Sequence, residues 1–358
     1  MFKYIFKRMA LAILTLFIIL IFSYTLIVIF IKNPYEIKLI NETDNLLRQQ
    51  YEAKSQAFKA IPVFTKIATY FSKFFSGDFG EIYIPQQGYN NIPELFFGPL
   101  GWSILISLPS FIISASLGIL IGVLAGYKRG TWIDNLINAF VFVFIAVPSF
   151  ILAPMFLNVF QKLGFDIRFI SPFEIGDGWS ATIKSVIPAI TVVSLGSLAG
   201  YTLYSRNQVV TVLTSNYVLI AKTKGLSGGA IFRKYVLRNI SIPLATIIIP
   251  SYLILLSGSI VVEKFWFIPG SATIIANSFP AGEINIVMFN IFFFTTLGLF
   301  TQVIVDISYP LIDPRIKYEA SSGINLFNII SAAKKRKLEY QTMLNKQNNA
   351  AINKEGGE

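Results

Sequence analysis

The residues of this sequence whose types and spacing could do chemistry are cations and glycines. Six basic residues stand between Arg206 and Pro243 (Arg206, Lys222, Lys224, Arg233, Lys234 and Arg238), with no carboxylate among them. Tyr217, Ile220, Ala221 and Lys224 recur at helical spacing, so one face of a two-turn helix is mostly apolar. Gly225 can take φ > 0 and end that helix. Leu226 and Ser227 follow, and Gly228 and Gly229 then let the chain reverse before a second apolar stripe, Ile231, Phe232, Tyr235 and Val236. Arg233, Lys234 and Arg238 can hold that second helix at lipid headgroups. A short glycine-terminated knob of this kind suits docking in a groove of another protein. An ordinary basic loop between membrane spans carries the same charge pattern, so charge by itself leaves both readings open.

Catalytic constellations are excluded by residue type. The chain has no cysteine and no histidine, which removes disulfides, thiolate nucleophiles, Cys/His zinc sites and imidazole acid–base work. The dipeptide Gly-Lys does not occur, so no phosphate cradle of the Walker type is written here. No catalytic, cofactor-binding or metal-binding residue is assigned. Two carboxylates are candidates for an intramembrane or gating role. Asp306 lies about two turns from the end of the last apolar run, with Gln302 and Tyr309 on its face, and is read first as a hydrogen-bond anchor. Glu263 lies at the outer end of the fifth run, where an outer gate or a docking surface would fall.

The elements that must position these residues are membrane spans. Hydrophobic residues make up 54% of the 358 and charged residues 14%, with a mean hydropathy of +0.62, against about 25% charged in soluble domains. Runs long enough to cross about 30 Å of hydrocarbon occur at Met9–Ile31, Leu100–Tyr127, Ile133–Phe160, Ile183–Tyr204, Pro243–Val262 and Ile286–Ile312. The fold class expected is an all-α integral membrane protein of six transmembrane helices, with a sizeable extracellular insertion after the first. Four regions follow: an N-terminus and first helix (1–31), the outer segment (32–99), a five-helix core (100–312) containing the loop 205–243, and a tail (313–358). Trp102, Trp132, Trp179 and Trp266 all fall at predicted span ends, the place of headgroup anchors.

Lysine and arginine bias sets the orientation. With both termini inside, the cytoplasmic segments hold Lys3, Lys7, Arg8, Lys128, Arg129, the six cations of the loop, and the basic residues of the tail. The formal charge of +11 is thereby explained by insertion topology, and no nucleic-acid-binding motif competes with it. In the outer segment a helix is expected from Thr43 to Ala60, capped by Thr43 or Asp44. The tail reads as solvated and disordered, with Lys334–Lys337 as an alternative contact for anionic lipid. Within the spans, Gly118, Gly122 and Gly126 form consecutive GxxxG repeats and Gly196 and Gly200 another, both read as helix packing. Pro148, Pro188 and Pro250 read as kinks.

The loop resembles the "EAA" coupling loop of importer-type ABC permeases in the oligopeptide/dipeptide/nickel (OppB/DppB-like) form, DYVRTARAKGL…RHALRNALIP. Ala221 falls at the second alanine of that signature and Gly225 at its glycine. Leu219 and Ile220 depart from its Glu-Ala, and Ser227–Ala230 replaces a stretch usually more charged. Further blocks follow in the family's order: GDFG (Gly77–Gly80, followed by Glu81 where a serine is usual nearby), YKRGTWID (Tyr127–Asp134), VPSF (Val147–Phe150), VVEKFWFIPG (Val261–Gly270) and VDISYPLIDPRI (Val305–Ile316).

The resemblance implies a permease subunit of a peptide importer in the cell membrane. It would pair with a second homologous permease (OppC/DppC-like) and dock two ATPase subunits (OppD/OppF-like) through Tyr217, Ile220, Ala221, Lys224, Gly225, Leu226 and Ser227. ATP and magnesium would sit on those ATPases. An extracellular substrate-binding protein (OppA-like) would deliver the peptide. Nickel or another small solute is the alternative cargo. A secondary transporter is the alternative class, although it would ordinarily carry midplane ion sites and inverted repeats.

Overall fold

The computed structural model describes residues 2–85, 88–173, 178–312, 331–332 and 334–343, and they contain no β-strand. The first apolar run forms α1 (Phe2–Phe30). The outer segment folds into three helices: α2 (Pro34–Asn41), α3 (Asn45–Ala60) and α4 (Val63–Phe75). Asp44 caps α3, its Oδ1 accepting the Leu46 N–H at 2.8 Å, as its position before the helix predicts. The amphipathic α4 lays Tyr70 on α1, where it stacks on Tyr24 at 4.6 Å.

Next comes α5 (Ile92–Tyr127), starting a full two turns earlier than the hydropathy alone predicts. Asn91 explains the early start. Its Oδ1 accepts the Glu94 N–H at 2.9 Å, while Glu94 reaches back to the Asn90 N–H at 3.1 Å, so two orphan donors are satisfied together.

The third apolar run differs most from expectation. It is two helices, α6 (Trp132–Ala146) and α7 (Ser149–Lys162), bent by 107°. Pro148 supplies the reason. A proline drives the residue before it out of the helical region, and Val147 is extended at φ −89°, ψ 114°. Pro188 and Pro250, by contrast, stay inside continuous helices, α8 (Gly178–Leu213) and, after the loop, α11. The loop itself comprises α9 (Asn216–Thr223), α10 (Gly228–Ile231) and a π-helical turn, Phe232–Val236, running directly into α11 (Leu237–Gly258). Two short helices, α12 (Ile260–Phe265) and α13 (Ser271–Ser278), lead to α14 (Ile284–Ile312). Five helical stretches are long and apolar enough to cross a membrane, and the bent pair makes a sixth if it counts as one span.

The centre of the molecule is the α5–α8 pair. Gly118, Gly122 and Gly126 lie on the seam: a Cβ added at Gly122 would stand 2.5 Å from the Thr202 carbonyl oxygen and 2.6 Å from Ser205 Cβ. Without side chains there, the backbones close to a distance that lipid-embedded helices use in place of hydrophobic drive. Gly196 and Gly200 correct the parallel expectation for span four. A Cβ added at either meets nothing within 4 Å, so they pack no helix among the described residues.

Two further expectations are corrected. Trp266 is 0% exposed and sits among Ile106, Leu152, Val262 and Ile268, so it is a core residue; Trp132 and Trp179 are exposed and Trp102 partly so. Residues 334–343 of the tail form an exposed helix where composition predicts disorder. The motif Asp313-Pro314-Arg315 and residues 316–330, 333 and 344–358 lie outside the described residues.

Candidate coupling site

The loop is built on an apolar footing. Val218 and Ala221 of α9 point inward onto Val209, Val212, Ile231, Val236 and Ile240, all buried. Gly225 ends the helix at φ +73°, its N–H bonded to the Lys222 carbonyl at 2.9 Å, and Leu226 N–H returns to Ala221 O at 3.2 Å. That pair of bonds is the glycine-stop geometry. Ser227 then caps α10, its Oγ accepting the Ala230 N–H at 3.4 Å.

The position of Ala221 overturns its expected place on a docking face. At 1% exposure it holds the knob to its own protein and is unavailable to a partner. Tyr217, Ile220, Lys224, Gly225 and Ser227 are exposed and Leu226 is half-buried; these form the outward surface. The Tyr217 ring stacks on Tyr235 at 6.3 Å, and Phe232 meets Tyr127 at the end of α5 at 6.0 Å. Displacement of the knob would therefore be passed to α5 and to the π-helical turn at the base of α11, where a widened ring loosens the i→i−4 ladder.

Beside this site stands an ion pair that the sequence did not announce. Asp134 takes both Arg206 Nε (2.6 Å) and Nη2 (2.8 Å), and also the Asn138 side-chain amide and the Gly130 N–H, each at 2.9 Å. The carboxylate is 97% shielded at the side chain, the guanidinium 81%. A bidentate pair with all acceptor sites filled is the form in which a buried charge is tolerated, and it locks α6 to α8. Asp134 ended a recognisable block and Arg206 opened the cationic run, but nothing in their spacing joined them.

Asp306 is a tie between the first and last helices. Its Oδ2 lies 2.6 Å from Arg8 Nε and its Oδ1 accepts from Gln302 Nε2 at 3.3 Å. Tyr309, on the same face, bonds Thr246 Oγ1 at 3.0 Å instead.

On the opposite face, Glu263 is 0% exposed, which removes it from any docking surface. Its Oε1 accepts from Ser103 Oγ (2.7 Å) and Ser259 Oγ (2.6 Å), and Oε2 from the Thr273 N–H (3.2 Å). Gly270 is required beside it, since an added Cβ would lie 2.3 Å from the carboxyl carbon. What this network presents outward is Phe267, 71% exposed and held at φ +54°, a conformation that a bulky residue keeps only when its surroundings impose it. Glu283, missed in the sequence, does similar work at the start of α14. It accepts the Tyr83 N–H at 3.0 Å and the Ile84 N–H, pinning the end of the outer segment. Burial pushes its carboxyl pKa up against those two donors.

Among the described residues, no group of three or more metal-ligating carboxylates exists. Between α8 and α11 a cavity of about 470 Å³ opens beside Gly200, lined by Ser197, Tyr204, Asn207 and Ser251.

An all-helical bundle of apolar spans, with an anchored, outward-facing knob at one end, defines a multi-pass membrane transport subunit. The chain belongs to the family described as "Binding-protein-dependent transport system inner membrane component", which matches residues 118–318. It is 30% identical to the oligopeptide transport system permease protein OppB of Mycoplasma genitalium over 91% of this chain and 79% of that one. It is 28% identical to the dipeptide transport system permease protein DppB of Lactococcus lactis over 88% and 100% respectively. With OppB of Haemophilus influenzae it shares 27% over 89% and 100%.

Proposed function

We propose that this chain is the permease subunit that carries oligopeptides across the cell membrane in an ATP-driven importer. The observation that carries the reading is the knob itself: Val218 and Ala221 bury its inner side, and Tyr217, Ile220, Lys224 and Gly225 are left exposed. A rigid projection with an apolar face and the exposed cations Lys222 and Lys224 is what a cytoplasmic ATPase groove would hold. The peptide cargo is supported by the names of the relatives above.

In this reading two ATPase subunits bind ATP and magnesium, and this chain, without a Gly-Lys cradle, hydrolyses none. A binding protein delivers peptide to the face opposite the knob, on which Phe267 stands. A second permease of the same family packs along α8 and α11, where Gly196 and Gly200 leave room that no helix among the described residues fills. Closure of the ATPases moves the knob, and the α5–α8 seam with the Asp134–Arg206 lock carries the movement as one body.

Deleting the gene should abolish uptake of labelled tri- to pentapeptides and leave nickel uptake unchanged. Ile220→Glu, on the exposed side of the knob, should insert and fold normally yet fail to restore peptide uptake or to co-purify with the ATPases. Peptide uptake that persists without the chain, or full rescue by Ile220→Glu, would overturn the reading.

A further inference from the structure

On the face opposite the knob, α2–α4 and the ends of α1 and α14 enclose a cavity of about 490 Å³, within the range of roughly 300–1,000 Å³ typical of small-ligand sites. Its charged and polar walls are Lys66, Lys73, Asp78, Glu81, Tyr35 and Asn285. The two acids are already engaged. Glu81 Oε1 accepts from the Tyr35 hydroxyl at 3.0 Å, and Asp78 accepts the Gly80 N–H at 2.9 Å, with Lys73 Nζ 3.7 Å from its other oxygen.

Lys66 is different. It is half-buried, its Nζ lies 3.9 Å over the Phe58 ring, and no carboxylate of the described residues is within ion-pair distance of it. Burial lowers its pKa. An aromatic face attracts an ammonium but brings no counter-charge, and a partly desolvated cation is stabilised most by an anion. Tyr70 also lines this space; it is 7% exposed, and its hydroxyl has no protein partner.

We infer that this cavity binds the carboxylate end of a short peptide, with Lys66 as the group that holds it. An anionic headgroup such as phosphatidylglycerol fits less well, because it brings only negative charge to a wall that also carries Asp78 and Glu81, whereas a peptide brings amide N–H groups and an ammonium along with its carboxylate. The Tyr35 hydroxyl, which donates to Glu81, keeps acceptor capacity for a peptide N–H, and Asn285 is held at the wall by its own bond to the Glu81 carbonyl at 2.9 Å. That the carboxylate belongs to a peptide rests on the proposed cargo; that Lys66 takes a carboxylate does not.

The test uses the full chain, assembled with its cognate subunits but without binding protein, in phosphatidylcholine nanodiscs. Tri-alanine and its C-terminal amide are titrated calorimetrically. The amide should bind about tenfold or more weakly, the usual loss of a charge-assisted hydrogen bond. Lys66→Met should weaken tri-alanine by the same factor and leave the amide unchanged, and Lys66→Arg should restore most of the difference. Co-purification of the subunits with Lys66→Met confirms that the variant folds. Equal binding of the two peptides, no binding of either, or indifference to Lys66→Met overturns the inference, as does loss of the peptide difference when phosphatidylglycerol occupies the site instead. If peptide uptake depends on this chain but the two peptides bind alike, the site falls and the cargo stands. If uptake is independent of the chain while the carboxylate difference persists, the cargo reading falls and the site stands.

Discussion

Arg206 is the single side chain on which the local electrostatics turn. Among the described residues it alone offers full charge to Asp134, and Asn138 and Gly130 are neutral donors that cannot replace it. Arg206→Met should leave a buried carboxylate unpaired, at a cost of about 3–5 kcal/mol. Asp134→Asn added in that background should recover a substantial part, because the charge that cannot be solvated is then gone. The check is thermal unfolding of the purified chain in detergent, for both singles and the double; a double variant as unstable as the sum of its singles would sink the assignment. The pair also shows the limit of reading residues one at a time. Gly225 was legible because positive φ is a property of the residue itself, and the cap at Asp44 because it acts two positions away. Asp134 and Arg206 are 72 positions apart and become partners only through the docking of α6 on α8. Ala221 is the intermediate case: its apolar type was visible, but whether its face looked inward or outward depended on how α9 sits against the π-helical turn.

At the scale of the helix, identical small-residue spacing has two different meanings. In α5 the glycines meet the backbone of α8; in α8, Gly196 and Gly200 meet open space. The spacing permits close approach, and only the neighbouring helix decides whether approach occurs. Gly122→Ala should therefore destabilise the isolated chain by about 1–3 kcal/mol, since the nearest obstacle is a carbonyl oxygen that cannot rotate away. Gly200→Ala should be neutral or gain up to about 1 kcal/mol from helix propensity. Comparing the two melting temperatures in detergent checks this, and an equal loss at both positions would show that the seam is misplaced. The third apolar run teaches the converse. Pro148 was visible as a point of bending, but a proline that only tilts a helix and one that turns it by 107° look alike in sequence. Pro188 and Pro250 keep their helices.

For the whole molecule, topology assigns two faces without reference to a membrane. The knob, the start of α1 and the end of α14 share one; α2–α4, α12, α13 and the start of α14 share the other. Hydropathy made the spans legible because each must bury an apolar length. In the outer segment the sequence predicts only the helix from Thr43 to Ala60, because α2 and α4 draw their stability from Tyr83, Tyr24 and α14, contacts invisible in a local pattern. The Lys and Arg bias predicts which face is cytoplasmic, and the cysteine-free chain makes that directly measurable. Ser227 and Gln56 are both exposed, whereas neighbouring Ser55 is buried with its Oγ bonded to Asn33 at 3.0 Å and would report folding in place of orientation. Ser227→Cys should be protected from an impermeant maleimide in intact cells and labelled after permeabilisation, while Gln56→Cys should be labelled in both. In a two-membrane cell the reagent must first be shown to reach the space between the membranes. The reverse pattern would invert the orientation, placing the knob where no ATP is available, and the ATPase-coupled mechanism would fall with it even though every helix stayed where it is.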